Sequence, residues 1–213
     1  ATQAWGELRE GLGLFRDDKG LLHLLFIVFA TGFLAFGVYL VGMPLIAQEL
    51  YGGGVSLYAT LQIVFSLGIV STNFGVMKQV KTFSRPGRLM VLSFLMRGSL
   101  VGIIATVPSI WVLFPVVFVW GIFSGLSMTL GRTILHNQVP HELRSRAASV
   151  YQLCLFGGAP LGAWVCGLTI EGLGLSTAFY AIAGTTIVVS LWTVLRSPLW
   201  HVRGHITGDK PAA

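Results

Sequence analysis

The sequence predicts an all-α membrane protein, with six transmembrane helices arranged as two inverted three-helix repeats. Three observations carry that prediction. Hydrophobic residues make up 54% of the 213-residue chain, with a mean hydropathy of +0.78. They fall in long unbroken blocks, and the basic residues cluster between alternate blocks. A water-soluble core needs one-faced or alternating apolar patterns, so blocks of this kind indicate lipid as the solvent.

A hydrocarbon core about 30 Å thick is crossed by about 20 helical residues. Six blocks reach that length: Leu21 to Ile46, Val55 to Met77, Leu89 to Val107, Trp111 to Leu135, Ala147 to Ile170 and Ala178 to Leu195. As helices, each satisfies its own backbone polar groups inside lipid. The preceding stretch, "ATQAWGELREGLGLFRDDKG", is charged and polar, unlike the apolar core of a signal peptide. Within it Trp5, Leu8, Leu12 and Phe15 recur at helical spacing, which predicts an amphipathic helix along the membrane surface. The chain begins at Ala1 rather than Met, which suggests a missing front end. The expected organisation is a lead-in over 1–20, a membrane bundle over 21–195 and a polar tail over 196–213.

The formal charge is +6, a balance that in a soluble protein suggests nucleic acid. Its distribution argues otherwise. Arg9, Arg16 and Lys19 precede the first span; Lys78, Lys81, Arg85 and Arg88 lie between the second and third; Arg132, Arg144 and Arg146 flank the turn from fourth to fifth; Arg196, Arg203 and Lys210 follow the sixth. The other three connections carry no Lys or Arg, so the positive-inside rule puts both termini in the cytoplasm. Those connections, "AQELYGGG", "PSI" and "EGLGLST", are short and bear Gly or Pro where helices end. Two triplets of antiparallel spans follow, and an odd number per triplet inverts the second relative to the first.

Small-residue pairs one helical turn apart, Gly98 with Gly102, Gly121 with Gly125 and Gly158 with Gly162, predict close helix crossings. Cys154 and Cys166, twelve positions apart on one helix, sit about 18 Å apart and cannot bridge. Trp111, Tyr51, Tyr58 and Trp200 fall near span ends, as an aromatic belt requires.

The charge-dense stretch "VPHELRSRAASVYQL", Val139 to Leu153, is the turn from the fourth span into the fifth. Pro140 suits a first helical turn, and Glu142 complements a positive helix end. Arg144 and Arg146 then sit at headgroup depth, where they either anchor topology or form a gate whose pairing changes between states. His141 and Glu142 open a zinc-protease pattern, but Ser145 stands where the second His is needed, so no metal is expected.

Together the six spans, the lead-in "ELREGLGLFRDDKG", the basic turn "KTFSRPGR" and the run "QVPHELRSRAASVYQL" followed by "GGAPLGAWVCG" resemble the C-terminal half of a major facilitator superfamily transporter. The stretch from Val139 to Leu153 resembles the branch of bacterial exporters for drugs, macrolides and siderophores. The resemblance runs from Trp5 to about Arg196. It implies the seventh to twelfth spans of a twelve-span protein of the bacterial inner membrane, a proton-coupled antiporter. In that architecture the substrate sits between two rocking halves. Implied partners are membrane lipid, a small-molecule substrate, and either the absent N-terminal half or a second copy of this chain. The family's loop pattern survives only in its basic half: Arg85, Gly87 and Arg88 match, whereas Val80 and Ser84 replace a glycine and an acid.

Candidate pathway residues are Tyr39, Gln62, Arg97, Trp120 and Arg132. Arg97 is the one formal charge well inside a span, and an intramembrane charge is by default a functional candidate. Snorkelling toward the headgroups would relieve its cost, and the resemblance places it on the ninth span, usually an outer supporting helix. Arg132 would attract an anion or pair with Glu142. Asn73, Phe33 and Phe36 are further polar or aromatic candidates. None of the six blocks contains Asp or Glu, so a proton-coupling carboxylate belongs to the absent half. Nucleotide loops and catalytic constellations are lacking too, which argues against an enzyme, a cofactor or ATP drive. The competing expectations are a six-helix scaffold that moves no substrate, and a half-transporter acting as a homodimer.

Overall fold

The computed structural model describes residues 13, 15, 18–79 and 86–196. Most of the lead-in, Arg85 and the tail beyond Arg196 lie outside them. Among the described residues there are six helices long and apolar enough to cross a membrane, and no strand. They are α1 (Lys19–Leu50), α2 (Gly54–Gln79), α3 (Pro86–Ala105), α4 (Ile110–Gln138), α5 (Arg144–Leu173) and α6 (Leu175–Arg196). The predicted fold class holds, with helices longer than their apolar blocks.

Asp18 starts α1 as its N-cap, its carboxylate accepting from the backbone N–H of Gly20 at 2.7 Å and of Leu21 at 3.3 Å. Of the lead-in stripe only Phe15 is described, and it is buried beside Leu21, Val150 and Tyr151. Farther along, α1 opens into wide π-helical turns at Thr31–Ala35, Val38–Gly42 and Ile46–Leu50. Pro44, lying between the last two, brings no N–H to the ladder, so the backbone spreads on both sides of it.

Helix ends differ from expectation at the connections. Ala47 to Leu50 continue α1, so only residues 51–53 join α1 to α2, with Gly52 and Gly54 left-handed at φ +59° and +55°. The link from α3 to α4 carries Val107 at φ +52°, and Tyr51 donates from its hydroxyl to the neighbouring Pro108 carbonyl, tying the two loops together. Burial pushes the Tyr51 phenol above its ordinary range. Gly174 alone joins α5 to α6.

Helix pairing is dominated by α2 with α4, α3 with α6, α3 with α4, and α1 with α5. Exchanging the first triplet for the second turns the α1–α5 pair into α4–α2 and leaves α3–α6 unchanged, as an inverted repeat requires. One pair departs from this symmetry: α3 lies broadly on α4, whereas its counterpart α6 leaves a gap against α1 that Trp192 bridges to Phe26 edge to face. That gap is an apolar cavity of about 440 Å³ flanked by Phe26, Cys154 and Trp192.

The glycine pairs lie where the helices cross. A side chain at Gly162 would overlap the Phe33 carbonyl of α1, and one at Gly158 would stand 3.1 Å from the Phe33 nitrogen. On α4, Gly121 faces the Phe65 carbonyl and Gly125 lies against Ile69 of α2, where Thr72 also donates to the Ile122 carbonyl at 2.8 Å. Gly98 lies against Thr186 of α6, with Gly102 more loosely against Ala183.

Large apolar side chains such as Val55 and Trp111, each 83% exposed, and Leu195 at 81% form the outer surface. Burial is uneven: 56% of the most apolar stretch of α3 is buried against 17% of that of α2. The helix expected to be an outer support is thus the most enclosed, wedged between α4 and α6.

Candidate functional site

Four helices converge on a cavity of about 230 Å³, lined by Thr31 and Tyr39 of α1, Phe65 of α2, Arg97 of α3 and Trp120 and Ser124 of α4, among others. Three of the predicted pathway residues, Tyr39, Arg97 and Trp120, are therefore brought together on one wall.

The aromatic part is a mutual cluster. Tyr39 and Phe65 have ring centroids 4.7 Å apart, Phe65 and Trp120 meet edge to face at 5.2 Å, and Tyr39 and Trp120 at 6.2 Å. The two edge-to-face contacts of Trp120 are among the geometries that π systems favour. Gln62, a fourth predicted residue, holds the cluster from behind. Tyr39 donates from its hydroxyl to Gln62 Oε1, and Gln62 Nε2 donates to the Tyr58 hydroxyl at 2.6 Å. The planar amide thereby fixes the edge of the Tyr39 ring across the α1–α2 interface.

Arg97 does not snorkel. It lies eleven residues into α3, about 16 Å from the Pro86 end at 1.5 Å per residue, and is only 3% exposed. Its Nη2 donates to Thr31 Oγ1 of α1 at 2.9 Å, and its guanidinium lies 5.1 Å from the centroid of the Phe94 ring. Thr31 opens the first π-helical turn, so its hydroxyl meets the buried charge where α1 begins to widen.

Arg132 is exposed on α4 and does not line the cavity. Tyr151 of α5, buried, is within electrostatic reach of both Arg132 and Arg97. Asn73 accepts from Thr129 Oγ1 at 3.0 Å, a cross-helix bond away from the cavity. Phe36 lines the cavity, whereas the backbone of Phe33 seats Gly158 and Gly162 and its ring stacks with Phe29. Phe65, Thr31 and Ser124 were not singled out from sequence.

The predicted gate lies at the end of the bundle where α1, α3 and α5 begin. Gly87 is buried and Arg88 half-buried at the start of α3. Pro140 precedes a short 3-10 turn, His141–Leu143, which places exposed Glu142 one turn ahead of α5 rather than within it. Arg144 donates from Nε to the Val139 carbonyl at 3.3 Å, folding back on the turn, and Arg146 is half-buried.

Neither the curated proteins nor the solved structures contain a match to this chain. A family model does match. Six apolar helices paired as inverted triplets around a mid-depth cavity are the architecture of a membrane carrier, and the model of the Major Facilitator Superfamily covers residues 25–210, so the chain belongs to that superfamily of membrane transporters.

Proposed function

We propose that these six helices form one half of a secondary transporter that exports small hydrophobic or siderophore-like molecules by alternating access. The observation that carries this reading is the cavity at mid-depth, where Tyr39, Phe65 and Trp120 offer an aromatic surface beside buried polar groups. A pathway for amphiphilic molecules needs that mixture of apolar area and a few placed polar groups. The direction of transport is supported by the likeness of Val139 to Leu153 to bacterial exporters. Proton drive fits the absence of any nucleotide-binding loop, with the coupling carboxylate supplied by the other half. The alternation of basic connections with ones that carry no Lys or Arg favours both termini in the cytoplasm, and the likeness to bacterial exporters favours the inner membrane.

The test is transport by inside-out vesicles from cells expressing the protein. A hydrophobic fluorescent dye is expected to accumulate when a proton gradient is imposed, and a protonophore should abolish accumulation. Trp120→Ala and Tyr39→Ala should each slow it while membrane levels hold. Dye flux equal to that of empty vesicles, together with co-purifying membrane proteins, would support a scaffold instead.

A further inference from the structure

The cavity has a chemical bias that selects among substrates. Two of its buried groups are hydrogen-bond donors without a partner among the described residues: Arg97 Nε and Trp120 Nε1. Trp120 is 1% exposed and Arg97 3%, so bulk water does not solvate these groups. Both side chains line the main cavity and the narrow space beside it, between Phe94 and Thr186. A guanidinium carries five N–H donors and stays protonated at neutral pH, yet Thr31 takes one and the Phe94 ring face offers only a weak second contact.

The charge is also unmatched within the bundle. The eight acids are Glu7, Glu10, Asp17, Asp18, Glu49, Glu142, Glu171 and Asp209, and the sequence places each outside the six apolar blocks. A neutral residue would tie α3 to α1 as well as Arg97 does, without the cost of a buried unpaired charge. Arg132, exposed toward the basic end, adds a second positive charge within electrostatic reach of Tyr151, as Arg97 is.

We propose that the cavity is a binding site for an organic anion, whose carboxylate or similar oxyanion accepts from Arg97 Nε and Trp120 Nε1 while its apolar body lies against Tyr39 and Phe65. This rests on the transport reading for its purpose, but its chemistry is testable without transport.

The experiment measures binding of 2-naphthoate and of its neutral isostere 2-naphthamide to the purified full chain in nanodiscs, by calorimetry. Naphthoate is expected to bind at least about tenfold more tightly than the amide, since hydrogen bonds to a charged group are the stronger kind. Arg97→Gln should weaken naphthoate by about ten- to a hundredfold and leave the amide within about twofold. Arg97→Lys should recover part of the loss. Trp120→Phe, which keeps a ring and removes only the N–H, should weaken naphthoate by about threefold or more. If Arg97→Gln fails to fold, the anion preference of the unaltered chain and the Trp120→Phe result decide. Equal affinity for the two probes overturns the proposal, as does an anion preference that survives Arg97→Gln. So does an Arg97→Gln effect confined to thermal stability, which would make Arg97 a tie between α1 and α3. Naphthoate binding lost when phosphatidylglycerol replaces phosphatidylcholine would assign the site to a lipid headgroup and also overturn it. Binding is read without a gradient. A chain that moves dye but shows no anion preference therefore refutes only this inference, whereas one that binds anions and moves nothing refutes only the transport reading.

Discussion

At the scale of single residues, the Tyr39–Gln62–Tyr58 chain sets the shape of the aromatic wall. Gln62 uses both ends of its amide, so Gln62→Leu strands the Tyr39 hydroxyl and frees the ring edge. Cross-helix hydrogen bonds in membranes are worth about 0.6 kcal/mol on average and up to about 1.7, so a loss of roughly 0.5–2 kcal/mol is expected. Thermal melting in detergent should register it, with Tyr58→Phe costing less because only one bond goes. No shift for Gln62→Leu would mean that the ring contacts alone position Tyr39. Tyr39, Gln62, Arg97 and Trp120 were legible in the sequence because polar or large amphipathic groups stand out in an apolar run. Phe65 was not, being one of 14 phenylalanines. In a soluble helix the apolar stripe marks the inward face, but here lipid and interior are both apolar and no periodicity separates them. Thr31 was hidden for a related reason: a threonine can satisfy its hydroxyl on its own helix, so nothing in the sequence announced that this one accepts from a charge.

At the scale of elements, close helix crossings hold the bundle, and its glycines are not equivalent. Gly162→Ala places a methyl group on the Phe33 carbonyl, backbone that cannot rotate aside, so α1 and α5 must separate. A loss of about 1–3 kcal/mol is expected, the usual range for overpacking. Gly184→Ala meets nothing within 4 Å and should be neutral or stabilising by up to about 1 kcal/mol through helix propensity. Parallel melting curves of the two variants check this, and equal destabilisation would mean that α1–α5 packing is not what the methyl group disturbs. The spacing of these glycines was visible in the sequence, and so was the number of spans. The ends were less so: Gln48 and Glu49 made Ile46 look like the last residue of the first span, yet headgroup depth tolerates polar side chains and α1 runs on to Leu50. The π-helical turns had only Pro44 as a signal, and proline alone does not tell a wide turn from a simple kink.

For the whole molecule, the question raised by Arg144 and Arg146 is whether their charge fixes orientation or moves with the transport cycle. Orientation is set by the sum of basic residues near the span ends, and Lys19, Arg88, Arg132 and Arg196 remain at the same end when those two are removed. Arg144→Ala with Arg146→Ala should therefore leave topology intact and membrane levels close to normal. A gate behaves differently. Arg144 donates to the Val139 carbonyl and so joins the start of α5 to the end of α4, at the basic end of the bundle where an opposing half would open and close. Losing that tie and the neighbouring charge changes the balance between the two states rather than the fold, and a shift in that balance slows the cycle from either direction. The expected result is a fall in dye efflux per unit of protein in the membrane for the double variant. Arg144→Lys should fall between, since it keeps the charge and loses the planar guanidinium geometry. Efflux and membrane level falling in proportion would instead assign both arginines to anchoring, and labelling of a cysteine placed at His141 from each side of the membrane would reveal any inversion directly.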